Sequence, residues 1–180
     1  VGSMWLSGVP ADGQAYVLRH AHLPTSVVEG AEALGLVPDR DGLALADVTV
    51  KGGVVEKIVP GGSAEAGAAT VLELRGGMVF PTFCDLHTHI DKGHTCVRSR
   101  NENGALSGAD ASVISDAIYW NADDVHRRME FSLRCAYAHG TSALRTHLFN
   151  GSPEQVRLTW DTFTRLRRAW AGRGELQGGA

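Results

Sequence analysis

From residue 78 onward the sequence alternates strand-like and helix-like segments, and this alternation restricts the fold more than any other feature. The apolar run Met78-Val79-Phe80 predicts a strand that leads through Pro81 into residues 85–89, and a helical pattern follows from Asn121. Strands that alternate with helices along a chain are typical of a parallel sheet with crossover helices. We therefore predict an α/β fold for residues 78–180.

Two helices with defined ends are predicted in this region. The first is expected to follow Asn121, an N-cap residue with Asp123 and Asp124 in the first turn, and to end at Gly140. Its expected buried stripe consists of Val125, Met129, Leu133 and Ala136. The second begins at the capping box Ser152-Pro153-Glu154-Gln155. Its expected core face consists of Val156, Trp160, Phe163 and Trp170.

Further strands are expected over residues 141–148, between the helices, and at residues 175–177, after the second helix. A closed (β/α)8 TIM-type barrel takes about 250 residues, so residues 78–180 are predicted to form only its first two to three βα units.

Residues 4–77 have a different pattern, with short strand-like runs between turns. The runs cover residues 16–20, 46–50, 54–59 and 71–74, and Lys51-Gly52-Gly53 predicts a hairpin turn between the second and third. This part is predicted to be a small β module. Val1-Gly2-Ser3, ahead of Met4, is predicted to be a tag remnant outside the fold.

Composition argues against several classes of partner. The formal net charge of -3 and a pI near 6.2 provide no broad basic surface for a nucleic acid polymer or an anionic membrane. The three cysteines fit neither a disulfide framework nor a zinc knuckle, which indicates a reducing compartment. With no secretion signal or transmembrane run in the sequence, we expect a cytoplasmic protein.

The pair His87-Thr88-His89 carries the strongest chemical signal. Alternate residues of a strand point to one face, so both imidazoles can reach one metal ion at the carboxyl end of a barrel strand. Such a pair also arises by chance, because His20-Ala21-His22 has the same spacing. We expect the earlier pair to be part of the β module, since only the later one has an apolar run, a proline and flanking acidic residues around it.

Residues 79–91, Val-Phe-Pro-Thr-Phe-Cys-Asp-Leu-His-Thr-His-Ile-Asp, resemble the first-strand signature of the amidohydrolases, in the form found in cytosine deaminases. Residues 121–147, which end in Arg-Thr-His, resemble the first helix and second strand of the same family. The segments before Gly77 are similar to the N-terminal share of the family's small β-sandwich.

The resemblance implies one divalent metal ion, zinc or iron, bound by His87 and His89 with ligands from later strands, and a metal-activated water that attacks a ring carbon bearing an amine. The acid and base residues would lie beyond residue 180. The substrate-binding candidates that it implies are Asp91, Thr95, Leu106 and His147. Bracing of the loop by Asp91, simple packing of Leu106 and a buried structural role for His147 stay open. Where relatives often have an acidic residue, the chain has Phe149, so the family's substrate preference does not transfer directly.

Two hypotheses follow. In the first, the protein is a metal-dependent hydrolase that deaminates a small nitrogen heterocycle, such as cytosine or a related base. In the second, it is a catalytically incomplete fragment or degenerate barrel that only binds metal or associates with itself. A partial barrel leaves strand edges and an apolar face uncovered, so we also expect a homo-oligomer.

Overall fold

The computed structural model describes residues 9–10, 13–65, 67 and 69–179, so the predicted tag residues 1–3 lie outside the described part. Contacts divide the chain into two units, Val1–Pro81 and Thr82–Ala180, and each is described by itself.

The first unit is built on a four-stranded sheet. Its strands are β1 (Tyr16–Pro24), β2 (Leu43–Lys51), β3 (Val54–Pro60) and β4 (Thr70–Glu73). They lie in the order β3-β2-β1-β4, with β2 antiparallel to both β1 and β3 and with β4 parallel to β1. All four predicted strands are confirmed, and β1 and β2 extend beyond the predicted runs.

The predicted hairpin turn between β2 and β3 is also confirmed. Lys51 pairs with Val54, so the loop has two residues, Gly52 and Gly53, with φ values of 59° and 77°. Two consecutive positive φ values identify a type I′ turn, whose twist matches that of the flanking strands. Glycine adopts this conformation without the steric penalty that a Cβ atom would bring.

A fully buried carboxylate holds the irregular part of this sheet. His20 has a φ of 52° where β1 bulges, and its amide donates to Asp47 Oδ1 at 2.9 Å. Asp47 Oδ2 accepts from the amides of Gly62 at 2.9 Å and Ala64 at 3.0 Å. Burial raises the pKa of Asp47, but these amide donors outweigh burial and leave the pKa below its ordinary value.

The second unit has a parallel three-stranded sheet whose strands are linked by helices. Its strands are β5 (Phe83–Thr88), β6 (Thr141–His147) and β7 (Glu175–Gly179), in that order. Its helices are α1 (Leu106–Asp116), α2 (Ala122–Ala138) and α3 (Pro153–Ala169). The predicted α/β alternation, β6, β7 and both predicted helices are confirmed.

One prediction about the start of this unit was wrong, and one helix was missed. The run Met78-Val79-Phe80 is not part of β5: Met78 forms a bridge with His22 in the first unit, and β5 begins at Phe83. Helix α1 was not predicted at all, because its sequence is only weakly amphipathic and its N-cap residue, Ala105, makes no side-chain cap.

Helix α2 forms as its sequence predicts. Asn121 Oδ1 accepts from the amides of Asp123 at 3.1 Å and Asp124 at 3.0 Å, which satisfies backbone donors that have no partner within the helix. Three of the four predicted stripe residues are buried: Val125, Met129 and Leu133. Ala136 is only partly buried but packs against the same core.

Helix α3 begins as predicted, since the Ser152 hydroxyl accepts from the amide of Gln155. Its core face differs in part from the prediction: Phe163 and Trp170 are buried, whereas Val156 and Trp160 are only partly so. Buried threonines occupy two positions on this face, and their hydroxyls donate to carbonyls in the preceding turn. No helix in the described part of the chain is both long enough and apolar enough to cross a membrane.

Candidate functional site

Three histidines meet at one edge of the parallel sheet. Thr88 pairs with Thr146, so the carboxyl ends of β5 and β6 lie side by side, and His89 follows β5 directly. The ring centroids of His87 and His89 are 5.2 Å apart, and those of His87 and His147 are stacked at 4.1 Å. His89 and His147 have ring centroids 6.0 Å apart. In open α/β sheets and barrels, this edge is where ligands bind.

A backbone contact orients the His89 ring. His89 Nδ1 lies 2.7 Å from the carbonyl oxygen of His147. Because a carbonyl only accepts, Nδ1 carries the proton and the Nε2 lone pair is left for a ligand. A histidine ligand generally donates its second ring nitrogen to a carbonyl or carboxylate in this way, which fixes both tautomer and ring direction.

A buried hydrogen bond lies directly behind this contact. The amide of Ile90 donates to Thr146 Oγ1 at 3.2 Å, and both residues are buried. Thr146 faces away from His147 because adjacent strand residues point to opposite sides. The turn at His89 and Ile90 is therefore tied to β6 by two contacts, one to the His147 carbonyl and one to the Thr146 side chain.

Asp91 is fully buried and braces the loop. Its Oδ2 accepts from the amide of Phe149 at 2.6 Å, which connects the segments that follow β5 and β6. Burial raises the pKa of Asp91, with the Phe149 amide and Lys92 acting in the opposite direction. This geometry favours the bracing alternative over a direct role in substrate binding.

The other substrate candidates have different surroundings. Thr95 is buried, and its hydroxyl points to the carbonyl of Lys92 at 3.4 Å. Leu106 begins α1 and is 79% exposed, so packing does not explain it. His147 is partly buried and lies against His87. Burial, His87 and Arg145 lower the pKa of His147, which favours a neutral ring.

The histidines fit part of a metal site. Among the residues described here, no group of three or more His, Cys, Asp or Glu side chains is arranged to hold a metal ion. His87 and His89 nevertheless supply neighbouring imidazoles, one of them with its coordinating nitrogen set by a carbonyl. Catalytic zinc sites use three protein ligands and an open position, so this pair matches a partial ligand set.

Sequence reasoning missed two residues that support this edge, Thr146 and Arg128. Arg128 is only 7% exposed, and its guanidinium contacts the carbonyls of Asp91 and Gly93 in the loop after β5. A signal was present, because Arg128 lies three residues after Val125 and so falls on the apolar stripe of α2. A charged residue on a buried stripe needs a specific partner.

Comparisons with known proteins show similarity to several deaminases. The chain is 44% identical over 169 residues to a pterin deaminase of Rhizobium rhizogenes, a match that covers 93% of the chain. This similarity to a deaminase supports the resemblance to the amidohydrolases. It is also 31% identical over 107 residues, 57% of its length, to an adenine deaminase of a Chelativorans species, of which the match covers 17%. No protein-family model matches the sequence.

A solved structure of 5-methylcytosine deaminase from Klebsiella pneumoniae, liganded with 5-fluorocytosine, has a similar fold. The TM-score is 0.69 at 17% identity, over 90% of this chain and 35% of that one. The chain spans only 37% of the length of the pterin deaminase. The activity of the whole protein is therefore a matter for proposal.

Proposed function

We propose that the protein is a metal-dependent hydrolase that removes an exocyclic amino group from a small nitrogen heterocycle. The observation that carries the proposal is the placement of His87 and His89 beside each other at the carboxyl edge of a parallel sheet. The similarity to a pterin deaminase over nearly the whole chain supports the same reaction class.

The fold proposal is that Thr82–Ala180 forms the first βα units of a (β/α)8 barrel and that the first unit is the N-terminal part of a β-sandwich. The parallel order β5-β6-β7, with α2 and α3 between successive strands, is the repeat such a barrel uses. The similarity in fold to the 5-methylcytosine deaminase structure supports this assignment.

In this proposal His87 and His89 hold one divalent ion, zinc or iron, together with ligands from elsewhere in the protein. When bound, such an ion would lower the pKa of a water ligand toward about 7 and so supply a nucleophile at neutral pH. The His147 carbonyl orients His89, and Asp91 holds the two loops together. His147, neutral and stacked on His87, is positioned to accept a hydrogen bond from a substrate N–H.

For the substrate we propose an amino-bearing heterocycle of the pterin kind, with cytosine and adenine as the nearest alternatives. Identity to the pterin deaminase is higher and covers more of the chain than identity to the adenine deaminase. Leu106 and Thr95 remain proposed contributors to substrate binding from the loop and helix after β5. Leu106 is the more accessible of the two.

The test measures metal content and ammonia release on the full natural chain that contains this sequence. Elemental analysis is expected to find about one zinc or iron per chain, and pterin, cytosine and adenine are compared as substrates. His87→Asn and His89→Asn should each lose metal and reduce kcat/KM by more than the roughly 10- to 100-fold typical of outer-shell partners. His126→Asn is the matched control, because His126 is exposed on α2.

Each outcome decides between the two hypotheses. Ammonia release that depends on His87 and His89 but not on His126 supports the hydrolase. A protein that holds metal at these histidines but releases no ammonia from any of the three heterocycles contradicts it and favours the binding-only alternative. In that case the exposed edge strand β5, with Leu86 73% exposed, predicts association between copies, which size-exclusion chromatography measures.

A further inference from the structure

A network of two arginines and two aspartates lies behind the loop that follows the histidine pair. Arg98, in that loop, donates to Asp116 at the end of α1 through Nε at 2.6 Å and through Nη2 at 3.0 Å. It also donates to Asp124 in the first turn of α2, at 2.7 Å and 3.0 Å. Arg128 donates to the same Asp124 through Nε at 3.0 Å. One loop and two helices are thus held by a single set of charges.

The charges in this network balance. Asp116 is fully buried, and Arg128 is 7% exposed. Burial raises the pKa of Asp116, but hydrogen bonds from Arg98 and Trp120 outweigh burial and lower the pKa overall. Hydrogen bonds from Arg98 and Arg128 likewise lower the pKa of Asp124. Both carboxyls are therefore ionised at neutral pH, and two positive charges face two negative ones.

Arg128 connects this network to the backbone of the site. One guanidinium nitrogen, Nη1, donates to the carbonyl of Asp91 in a short contact and to that of Gly93 at 3.3 Å. The guanidinium also lies over the Trp120 ring, 4.7 Å from its centroid. Asp91 is two residues beyond His89, so Arg128 fixes the direction in which the chain leaves the histidine pair.

A second contact from α2 reaches the same loop. His94 Nε2 lies 3.1 Å from the hydroxyl of Ser132, one helical turn after Arg128, and the His94 ring packs against Phe131. His94 also has a φ of 63°, which is uncommon for a residue other than glycine. A non-glycine residue stays in this conformation only where its surroundings hold it there.

From these contacts we infer that Arg128 is a positioning residue for the metal site: it holds the loop after β5 on α2 and thereby sets the geometry of His89. Lysine cannot replace it, because only the planar guanidinium offers donors at the spacing that two carbonyls and a carboxylate require. This inference rests on the proposed metal-binding function of His87 and His89.

The test compares Arg128→Lys with Arg134→Lys in the full natural chain. Arg134 lies on the same helix and also forms an ion pair four residues away, with Glu130, but it is 72% exposed and has no contact with the loop among those described. Zinc affinity is measured by competition with a chelator, kcat and KM by ammonia release, and folding by near-UV circular dichroism and thermal unfolding. Arg128→Lys should weaken zinc binding by about tenfold or more at temperatures where it is fully folded, and Arg134→Lys by less than twofold.

The outcomes separate the two proposals. If the unmodified protein binds no metal through His87 and His89, the proposed function fails whatever Arg128 does. If the unmodified protein binds zinc and folded Arg128→Lys binds it equally well, with unchanged kcat, the positioning role is wrong.

If Arg128→Lys does not fold, the test uses Arg98→Lys instead. Arg98 is 37% exposed, so its substitution should disturb folding less, and it weakens the same network at the ion pairs that the loop makes with Asp116 and Asp124. Weaker zinc binding by at least threefold in folded Arg98→Lys supports the inference, and unchanged binding overturns it.

Discussion

Replacing Thr146 with valine tests whether the backbone behind the histidine pair is held by one buried hydrogen bond. Valine has nearly the shape of threonine, so Thr146→Val leaves no cavity at this fully buried position. It does remove the oxygen that accepts from the Ile90 amide at 3.2 Å. Ile90 is 3% exposed, so water cannot readily replace that acceptor.

The expected cost follows from the unpaired amide. A buried donor left without a partner costs about 1–3 kcal/mol, so the free energy of unfolding of the second unit should fall by that amount. Thr146→Ser is the control. It keeps the hydroxyl and removes one methyl group, at a cost of about 1 kcal/mol from lost packing.

Two measurements separate these effects. Urea unfolding followed by tryptophan fluorescence reports mainly the stability of the second unit, since three of the four tryptophans, Trp120, Trp160 and Trp170, lie there. Hydrogen exchange at the Ile90 amide reports the bond itself: exchange should accelerate in Thr146→Val and stay slow in Thr146→Ser. A Thr146→Val protein within about 0.5 kcal/mol of the unmodified one, with its Ile90 amide still protected, would refute the reasoning.

Three further predictions concern the buried carboxylate of the first unit and the side-chain packing of the second. Asp47→Asn should destabilise the protein by about 1.5–3 kcal/mol at pH 7 by removing a charged acceptor of three amides. The folded pKa of Asp47 is below its ordinary value near 3.8, so its contribution is present above that pH and disappears as pH falls through the folded pKa. Urea unfolding from pH 7 to pH 2.5, followed by circular dichroism, should therefore show a larger loss of stability in the unmodified protein than in Asp47→Asn. Met129→Ala, in the fully buried stripe of α2, should lower the free energy of unfolding by about 2–5 kcal/mol in the same urea assay, and a loss under 1 kcal/mol would contradict the observed packing. Gly178→Ala in β7 places a Cβ atom 2.9 Å from ring atoms of Trp160 and Phe163, so thermal unfolding should show a loss of about 1–3 kcal/mol; equal or greater stability would mean that the rings have room to move.

The elements that could be predicted from the sequence are those with local physical signals. Helices α2 and α3 have side-chain caps from Asn121 and Ser152, and both caps form the expected hydrogen bonds. Helix α1 has no such cap, and Asp116 is its only buried residue, so periodicity could not reveal it. The run at Met78-Val79-Phe80 misled because hydrophobicity does not say which of two units a strand-like segment joins.

The two His-x-His pairs show how far a spacing alone can be taken. In the first unit, His20 lies at a bulge with positive φ and its ring contacts Glu73 at 2.9 Å, while the His22 ring contacts the Gly76 carbonyl. Both rings thus have structural partners, as expected for residues of the β module. The pairing of β5 with β6 is also irregular, between Asp85 and Thr88, but neither His87 nor His89 has a positive φ, and their rings stay together. The two pairs therefore differ in backbone conformation and in their ring partners, and the His-x-His spacing alone does not predict either.

The contacts that hold the histidine pair in place are even harder to predict from the sequence, because several of them are made by backbone groups. The His89 ring is oriented by the carbonyl of His147, and one oxygen of the Asp91 carboxylate, Oδ2, accepts from the amide of Phe149. Any residue at position 147 or 149 other than proline offers the same backbone groups, so the identity of those residues says nothing about the contact. Thr146 and Arg128, by contrast, support this backbone through their own side chains. Substitutions at Thr146 and Arg128 should therefore disturb the histidine pair more than substitutions at positions 147 and 149, which contribute through backbone groups. This order of sensitivity is expected if the surrounding protein holds the site, and it is not expected if the metal alone holds it.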